Sequence, residues 1–289
     1  MKLANLALVS TVTVLGLVAV GCVAKTDDGN ANDGPLGTDE AQLVEDNAEA
    51  QDQDDDLESG LEEPLSGAEP TDPGAPPEAA DDATLEANVK ANVGKWFKPA
   101  GCIATTFAGN IATHVFKGCS GPYGFANFDG TVTTTYVRGN GSLTITFEAT
   151  GFKANGAAVS GKRVVVYTKN GTVVTKHRTG EWTGTTKKGK AFAHTADFTV
   201  TWDRTAKCIT RDGSAETTIA AREFSHSITG YKRCGIGALG CPQSGTIVLE
   251  RTKASGASAS ITIQFLGGRE YTVTGPRGNK VTRQLACVP

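Results

Sequence analysis

The chain has 289 residues and a formal net charge of −3, with 20% charged residues and seven cysteines. The small net charge hides a division between an acidic first part and a basic remainder. The sequence contains no Gly-x-Ser-x-Gly, His-Glu-x-x-His or Cys-x-x-Cys pattern. These are common signatures of serine hydrolases, zinc proteases and zinc-binding domains. We therefore expect no catalytic site, no metal site and no cofactor.

The N-terminus is typical of an export signal. Met1 and Lys2 precede an uncharged and largely apolar run, Leu3 to Val20. A run of about 18 residues is at the lower limit for a transmembrane helix. Its early position and the single leading lysine favour a signal peptide instead.

This run ends in small residues before a cysteine, in the sequence Leu17-Val18-Ala19-Val20-Gly21-Cys22. The sequence resembles the lipobox of bacterial lipoproteins, although Ala19 stands where leucine is commoner. The resemblance implies a signal peptide over 1–21, cleavage before Cys22, and a diacylglyceryl group on the Cys22 sulfur. The protein is then expected to be lipid-anchored in the cell envelope, with the outer membrane as its expected location. An ordinary secretory signal with an incidental cysteine is the alternative.

Residues 22–82 have the composition of a disordered tether. Residues 26–86 contain 21 Asp and Glu and no Lys or Arg, and six of the chain's 11 prolines lie among them. Low hydrophobicity with high net charge cannot bury enough apolar surface to offset the entropy of ordering the backbone. The segment could reach roughly 200 Å at ~3.5 Å per residue. We interpret it as a spacer, with an interaction tail as the alternative.

Residues 83–289 are predicted to form one all-β domain with a short helix at its start. The helix is predicted over 83–95, because Leu85, Val89 and Val93 recur at helical spacing. Beyond it, apolar and polar residues alternate, which predicts antiparallel strands with one buried and one wet face. The apolar members of three such runs are Leu143, Ile145 and Phe147; Phe198, Val200 and Trp202; and Ile261, Ile263 and Phe265.

Glycine-containing turn sequences separate the predicted strands at hairpin intervals, which indicates an antiparallel meander. A large twisted sheet, a sandwich and a barrel all fit this pattern. The turn sequences are Gly139-Asn140-Gly141, Asn170-Gly171, Lys188-Gly189, Asp212-Gly213, Ser255-Gly256, Gly267-Gly268 and Arg277-Gly278-Asn279.

Six cysteines remain once Cys22 is set aside for the lipid, and an even number in an exported domain indicates disulfides. The first two predicted bridges close local, hairpin-like segments, and the third joins the last strand to a neighbour. The rival to this scheme is a Cys234–Cys241 bridge, which closes a small glycine-rich loop. The predicted pairs are Cys102–Cys119, Cys208–Cys234 and Cys241–Cys287.

Several of these cysteines lie in short motifs. Cys119-Ser120-Gly121-Pro122 precedes the first long predicted strand, Cys241 precedes Ser244-Gly245-Thr246-Ile247, and Cys287 lies near the end. This arrangement resembles that of a group of all-β, disulfide-containing bacterial lipoproteins without an assigned activity. The resemblance supports the all-β fold and the outer pairings and implies no mechanism. The Cys208–Cys234 pair is not part of the shared pattern.

The predicted β domain is strongly basic. Residues 87–289 contain 26 Lys and Arg against 10 Asp and Glu, a net charge of +16. This indicates an anionic partner, such as lipopolysaccharide or another acidic polysaccharide, or an acidic tail that folds back. Nucleic acid is disfavoured because no nucleic-acid-binding module is present, and a solvated sheet with lysines at its edges is the alternative. The candidate anion-binding residues are Lys162, Arg163, Lys187, Lys188, Lys190, Lys232 and Arg233.

Two histidines could form part of an acid–base site. His177 and His194 could face each other across a hairpin near Glu181 and Asp197, and a histidine beside a carboxylate can transfer protons. No nucleophile motif accompanies them, so we interpret them as ordinary strand residues.

Two tryptophans, Trp182 and Trp202, could stack on a sugar or belong to the core. Trp202 alternates with Val200 and Phe198, which favours the core.

The leading functional hypothesis is a membrane-anchored envelope lipoprotein with a non-enzymatic binding or structural role, engaging anionic surface polymers. The alternatives are an enzyme acting on cell-surface polysaccharide and a carrier of an apolar ligand in a β cavity.

Overall fold

The structure is a computed structural model, and it describes residues 43, 57, 61–68, 81–121, 127–220, 222–235, 241–252 and 258–285. The predicted signal peptide and Cys22 lie outside the described residues. Among the described residues, no helix combines the length and the apolarity needed to cross a bilayer.

In the described part of the chain, thirteen antiparallel strands form one sheet in which each strand pairs with its neighbours in sequence, so the predicted all-β meander is confirmed. The strands are β1 (Ile103–Ala108), β2 (Ile111–Ser120), β3 (Asn127–Gly139), β4 (Ser142–Ala154), β5 (Ala157–Asn170), β6 (Val173–Thr185), β7 (Ala191–Asp203), β8 (Cys208–Ile219), β9 (Arg222–Cys234), β10 (Pro242–Thr252), β11 (Ser258–Gly267), β12 (Glu270–Thr274) and β13 (Lys280–Gln284).

Alternation of side chains orients each strand. In β4, Leu143, Ile145 and Phe147 are buried, while the residues between them contact water to a greater extent. The three apolar residues predicted for β11 are also buried. In β7 Phe198 is buried, whereas Val200 and Trp202, nearer the end of the strand, are half-buried. Alternation therefore predicted the inner face of the sheet and not the depth of burial along it.

One predicted turn was wrong. Asp212 and Gly213 lie inside β8, at a bulge in its pairing with β9. Gly213 has φ 141°, and a Cβ there would lie 2.7 Å from Phe198 Cα. Glycine is needed at this point because the neighbouring backbone approaches closely. The Asp212 carboxylate accepts a hydrogen bond from the backbone N–H of Gly230 at 2.6 Å.

Two helical elements accompany the sheet in the described part of the chain: α1 (Glu63–Leu65) and α2 (Asp82–Trp96). The latter confirms the helix predicted over 83–95. Asp81 caps it, accepting a hydrogen bond from Thr84 N–H at 2.7 Å, and this bond lowers the pKa of Asp81. Leu85, Val89 and Val93 are buried on one face of the helix.

Residues 61–68, which include α1, differ from the disorder predicted for 22–82. Leu61 and Leu65 are buried in the same hydrophobic cluster as the sheet and α2. Leu43 and Leu57, two further described residues of the acidic region, belong to this cluster as well. Composition averages charge over the whole region and does not detect leucines at the few positions where the chain contacts a core.

The core is continuous from β1 to β12 and includes an aromatic group near the start of the sheet. Phe97, Phe116, Phe128 and Phe152 have ring centroids 5.2–6.1 Å apart. Residues 61–68 and α2 pack against this core with their buried side chains.

Two predicted disulfides are confirmed: Cys102–Cys119 joins the start of β1 to β2, and Cys208–Cys234 joins β8 to β9. Because Cys234 is used in this way, the rival Cys234–Cys241 bridge is wrong. Cys241 is also disulfide-bonded. Its predicted partner, Cys287, lies outside the described residues, so that pairing stays a prediction.

Candidate functional site

Among the described residues, several cationic side chains project from the sheet toward the core. Arg163 lies on β5, Lys176 and Arg178 on β6, and Arg211 on β8. The three arginines are 2–7% exposed. Each cation lies an even number of residues along its strand from a buried apolar side chain, so both point to the same face. Arg163, for example, is two residues from the buried Val165. The fold thus places positive charge in its interior.

The carboxylate of Glu62 lies among three of these cations. Arg163 Nη1 donates to Glu62 Oε1 at 2.7 Å, and Lys176 Nζ donates to Glu62 Oε2 at 3.1 Å. Arg178 Nη1 lies 3.6 Å from Glu62 Oε1. Glu62 is 1% exposed and is the only buried acidic side chain among the described residues. A carboxylate shared by several cations is the arrangement that makes a buried charge tolerable.

Arg211 extends this cationic surface toward β9. Its guanidinium lies 4.5 Å from the ring centroid of Phe198, and the Arg178 guanidinium lies 5.3 Å from the same ring. Arg211 is 7% exposed, and its Nε and Nη2 atoms have no hydrogen-bond acceptor within the part of the chain that the structure describes. Tyr231 pairs with Arg211 across the strands, and burial raises the pKa of its hydroxyl.

Three further side chains hold the backbone of residues 61–68. Tyr136 Oη donates to the carbonyl oxygen of Leu65 at 2.6 Å. Asn92 Nδ2 donates to that of Gly67 at 3.0 Å, and Trp96 Nε1 donates to that of Ala68 at 3.0 Å. Every one of these donors belongs to the β domain or α2, and every acceptor belongs to the segment.

A buried hydrogen-bond chain orients the Tyr136 hydroxyl. Thr134 Oγ1 donates to Tyr136 Oη at 3.0 Å, and His114 Nε2 lies 2.9 Å from Thr134 Oγ1. Thr105 Oγ1 lies 2.9 Å from His114 Nδ1. Since Tyr136 uses its proton on Leu65 and Thr134 uses its own on Tyr136, His114 must donate from Nε2. Burial favours the neutral ring, and in that form Nδ1 accepts from Thr105 Oγ1.

His114 should make the stability of the protein depend on pH. Burial lowers its pKa from 6.5 to about 3, because the charged ring would lose its hydration. Between these values the unfolded chain binds a proton that the folded chain does not. The contribution of His114 to the free energy of unfolding is therefore complete above pH 6.5. It falls by up to about 1.4 kcal/mol per pH unit as the pH drops toward 3.

Urea unfolding at pH 7.5 and pH 5 measures this effect. Between these two pH values, the wild-type protein should lose about 2 kcal/mol more of its free energy of unfolding than the His114→Gln variant. Equal losses in the two proteins would show that His114 is not responsible.

The structure does not bring the predicted anion-binding residues together. Lys162 and Arg163 point to opposite faces of β5, because successive side chains of a strand alternate. Lys162 is exposed and lies 3.3 Å from Glu148, whereas Arg163 is buried against Glu62.

The remaining predicted residues lie at opposite ends of the sheet. Lys187, Lys188 and Lys190 belong to the β6–β7 turn, whereas Lys232 and Arg233 lie where β9 ends, beside the Cys208–Cys234 bridge. Consecutive turns of a meander alternate between the two ends of its sheet, and this topology separates the two groups.

A row of cations does occur at the end that holds the β6–β7 turn. The β4–β5 and β8–β9 turns lie on either side of it, each roughly 10 Å away, because alternate strands are two strand spacings apart. Among the described residues 153–158, 184–192, 218–220 and 222–224, Glu223 is the one acidic residue. We call this row the basic rim, and it consists of Lys153, Lys187, Lys188, Lys190 and Arg222.

The two histidines do not face each other. His177 is exposed on the outer face, and its Nε2 lies 2.8 Å from Asp197 Oδ1. His194 is buried on the inner face, with Nδ1 2.8 Å from Thr217 Oγ1. Successive side chains of a strand point to opposite faces of the sheet, and the pairing of β6 with β7 puts these two histidines on different faces. No shared acid–base site forms from this pair.

Of the tryptophans, Trp182 belongs to the core, since it is 1% exposed and lies under the Arg163 guanidinium at 5.5 Å. Trp202 is half-buried, and the Arg204 guanidinium lies 5.0 Å from its ring.

Sequence reasoning missed Glu62. A signal was present on the sheet side, since Lys176 and Arg178 have the inward parity of Val174 and Trp182. Two inward cations on one strand require a counter-charge, but alternation cannot say which of the 21 acids in residues 26–86 supplies it.

Within the described residues, no group of three or more His, Cys, Asp or Glu could hold a metal ion. Comparisons of the chain with protein families, curated proteins and solved structures find no match.

Proposed function

We propose that the protein is a lipid-anchored envelope protein whose β domain binds anionic surface polymers without enzymatic activity. The supporting observation is the basic rim, where three adjacent hairpin ends carry five cations and one acidic residue. A polyanion such as the acidic part of lipopolysaccharide presents charges along its length. A row of cations about 20 Å long suits such a ligand better than a single pocket does.

Substitution of three rim lysines tests the polymer-binding proposal. The triple variant Lys187→Ala, Lys188→Ala, Lys190→Ala should bind immobilised heparin or lipopolysaccharide about tenfold more weakly at low ionic strength, with a shallower salt dependence. Binding of full-length protein in detergent is measured at several salt concentrations.

The opposite end of the sheet supplies the control. The triple variant Lys207→Ala, Lys232→Ala, Arg233→Ala removes the same charge. Lys207 lies in the β7–β8 turn, at the same end of the sheet as Lys232 and Arg233. It should keep most of the affinity. An equal loss in both triple variants would mean that net charge alone attracts the polymer, and binding that ignores salt would contradict the proposal altogether.

The membrane anchor is a separate part of the proposal and rests on the lipobox resemblance at Cys22. One acyl chain holds a protein only marginally, whereas two or three, at about 0.8 kcal/mol per buried CH₂, hold it stably.

The Cys22→Ser variant should therefore leave the membrane fraction and appear in the soluble fraction, because it cannot receive the lipid. Fractionation and immunoblotting measure the distribution. A variant that remains in the membrane after a high-salt wash would contradict lipidation at Cys22, and the salt wash removes protein that is held by charge alone.

The two alternative functions have less support. An enzyme would need convergent acid–base groups, and the His177–Asp197 pair is exposed and has no described partner of that kind. A carrier of an apolar ligand would need open inner surface, and residues 61–68 cover the inner face beside β3, β5 and β6.

A further inference from the structure

We propose that the inner face of the sheet is a binding site for an acidic peptide, and that residues 61–68 of the same chain are its ligand. The site is built from side chains of β3, β5, β6 and α2. This inference does not depend on the proposed function, because it concerns the buried inner face of the sheet and uses none of the residues of the basic rim.

The first support is the direction of the hydrogen bonds. Tyr136, Asn92 and Trp96 each donate to one main-chain carbonyl oxygen of the segment. These acceptors lie at Leu65, Gly67 and Ala68, so the second half of the segment is held by its backbone. Donors on one partner and backbone acceptors on the other are the arrangement of a receptor with a peptide, and unlike a strand pair they need no reciprocal bonds.

The second support is charge complementarity. The site presents Arg163, Lys176 and Arg178 to the Glu62 carboxylate. The region from which the segment comes has no Lys or Arg between Lys25 and Lys90. A ligand with this composition brings a counter-charge to a cationic interior and no repulsion.

The third support is the apolar anchoring on both sides of the charge. Leu61 and Leu65 are 1% and 0% exposed, and Pro64 between them is buried. The two fully buried leucines stabilise the docked segment because their side chains are removed from water. The peptide that fits the site is thus defined as Leu-Glu-Glu-Pro-Leu, with the second residue carrying the recognised charge.

A nicked chain tests this assignment without removing any part of the protein. A site-specific protease sequence is placed within residues 69–80 of the full chain, which is purified in detergent and cleaved. The N-terminal fragment should co-elute with the β domain in gel filtration. An excess of a synthetic peptide of residues 57–70 should displace it, and the same peptide with Glu62→Gln should need at least about tenfold higher concentration.

Three results would overturn the proposal. A fragment that leaves on cleavage would show that these contacts do not bind a peptide. A fragment that no concentration of peptide displaces from the folded domain would make the segment a permanent part of the core. Dimers of the uncleaved chain that dissociate on adding the peptide would show that a second copy supplies the segment. The Tyr136→Phe variant loses the donor to Leu65 and the acceptor for Thr134, so its nicked N-terminal fragment should dissociate from the β domain at a higher total protein concentration than the wild-type fragment does.

Discussion

Replacement of Glu62 by glutamine should lower the free energy of unfolding by about 3–5 kcal/mol, the range for breaking a buried ion pair by removing one partner. The carboxylate lies 2.7 Å from Arg163, 3.1 Å from Lys176 and 3.6 Å from Arg178. A neutral amide cannot neutralise three cations, and its NH₂ group would point a donor at donors. Urea unfolding followed by tryptophan fluorescence measures the loss.

Glu148 provides the matched control, because Glu148→Gln removes the same charge from an ion pair with Lys162. Both side chains of that pair are more than half exposed. Water screens the interaction, so this variant should lose less than about 1 kcal/mol. Similar losses in the two variants would contradict a special role for Glu62. A double-mutant cycle with Lys176→Met should give a coupling free energy of about 1 kcal/mol or more.

Replacement of Phe128 by alanine should destabilise the protein by about 3–5 kcal/mol, the usual cost of truncating a buried phenylalanine. Phe128 is 0% exposed and stacks on Phe152 with ring centroids 5.7 Å apart. Its ring also contacts those of Phe97 and Phe116 at 6.1 Å. The cavity would lie beside the Cys102–Cys119 bridge, because Cys119 pairs with Phe128, and the bridge limits how far β2 can move to fill it.

Phe107 is the control for this substitution. It stacks on Tyr136 at 6.1 Å but is only partly buried. Phe107→Ala should therefore cost clearly less, because water already reaches the ring and can fill the space it leaves. Urea unfolding of both variants decides the point, and equal losses would mean that the aromatic group around Phe128 repacks without a cavity.

Hairpins were predictable because their determinants are local. Strand alternation and turn glycines lie within about fifteen residues of one another, and Cys102–Cys119 and Cys208–Cys234 close over 17 and 26 residues. The failure at Asp212-Gly213 has a local cause too. The same dipeptide suits a tight turn and a bulge, and the choice depends on how closely the next strand approaches.

The sequence predicted the distribution of charge on the sheet only in part. Lys162 and Arg163 were grouped because they are adjacent in sequence, yet a strand sends adjacent residues to opposite faces. Parity could have separated them. Parity could not have separated Lys187 from Lys232, because their positions depend on which end of the sheet each turn occupies.

The sequence by itself determined the all-β class and the antiparallel order of the strands, and it predicted the two local disulfides while leaving a rival partner for Cys234. Each of these follows from a period of two, short turns and short closures. It also carried the lipobox-like end at Cys22, which stays a prediction. The tertiary structure alone decided that Glu62 meets Arg163, 101 residues away, and Lys176, 114 residues away. No local pattern selects one carboxylate from 21, because the selection is made by the buried cations that surround it.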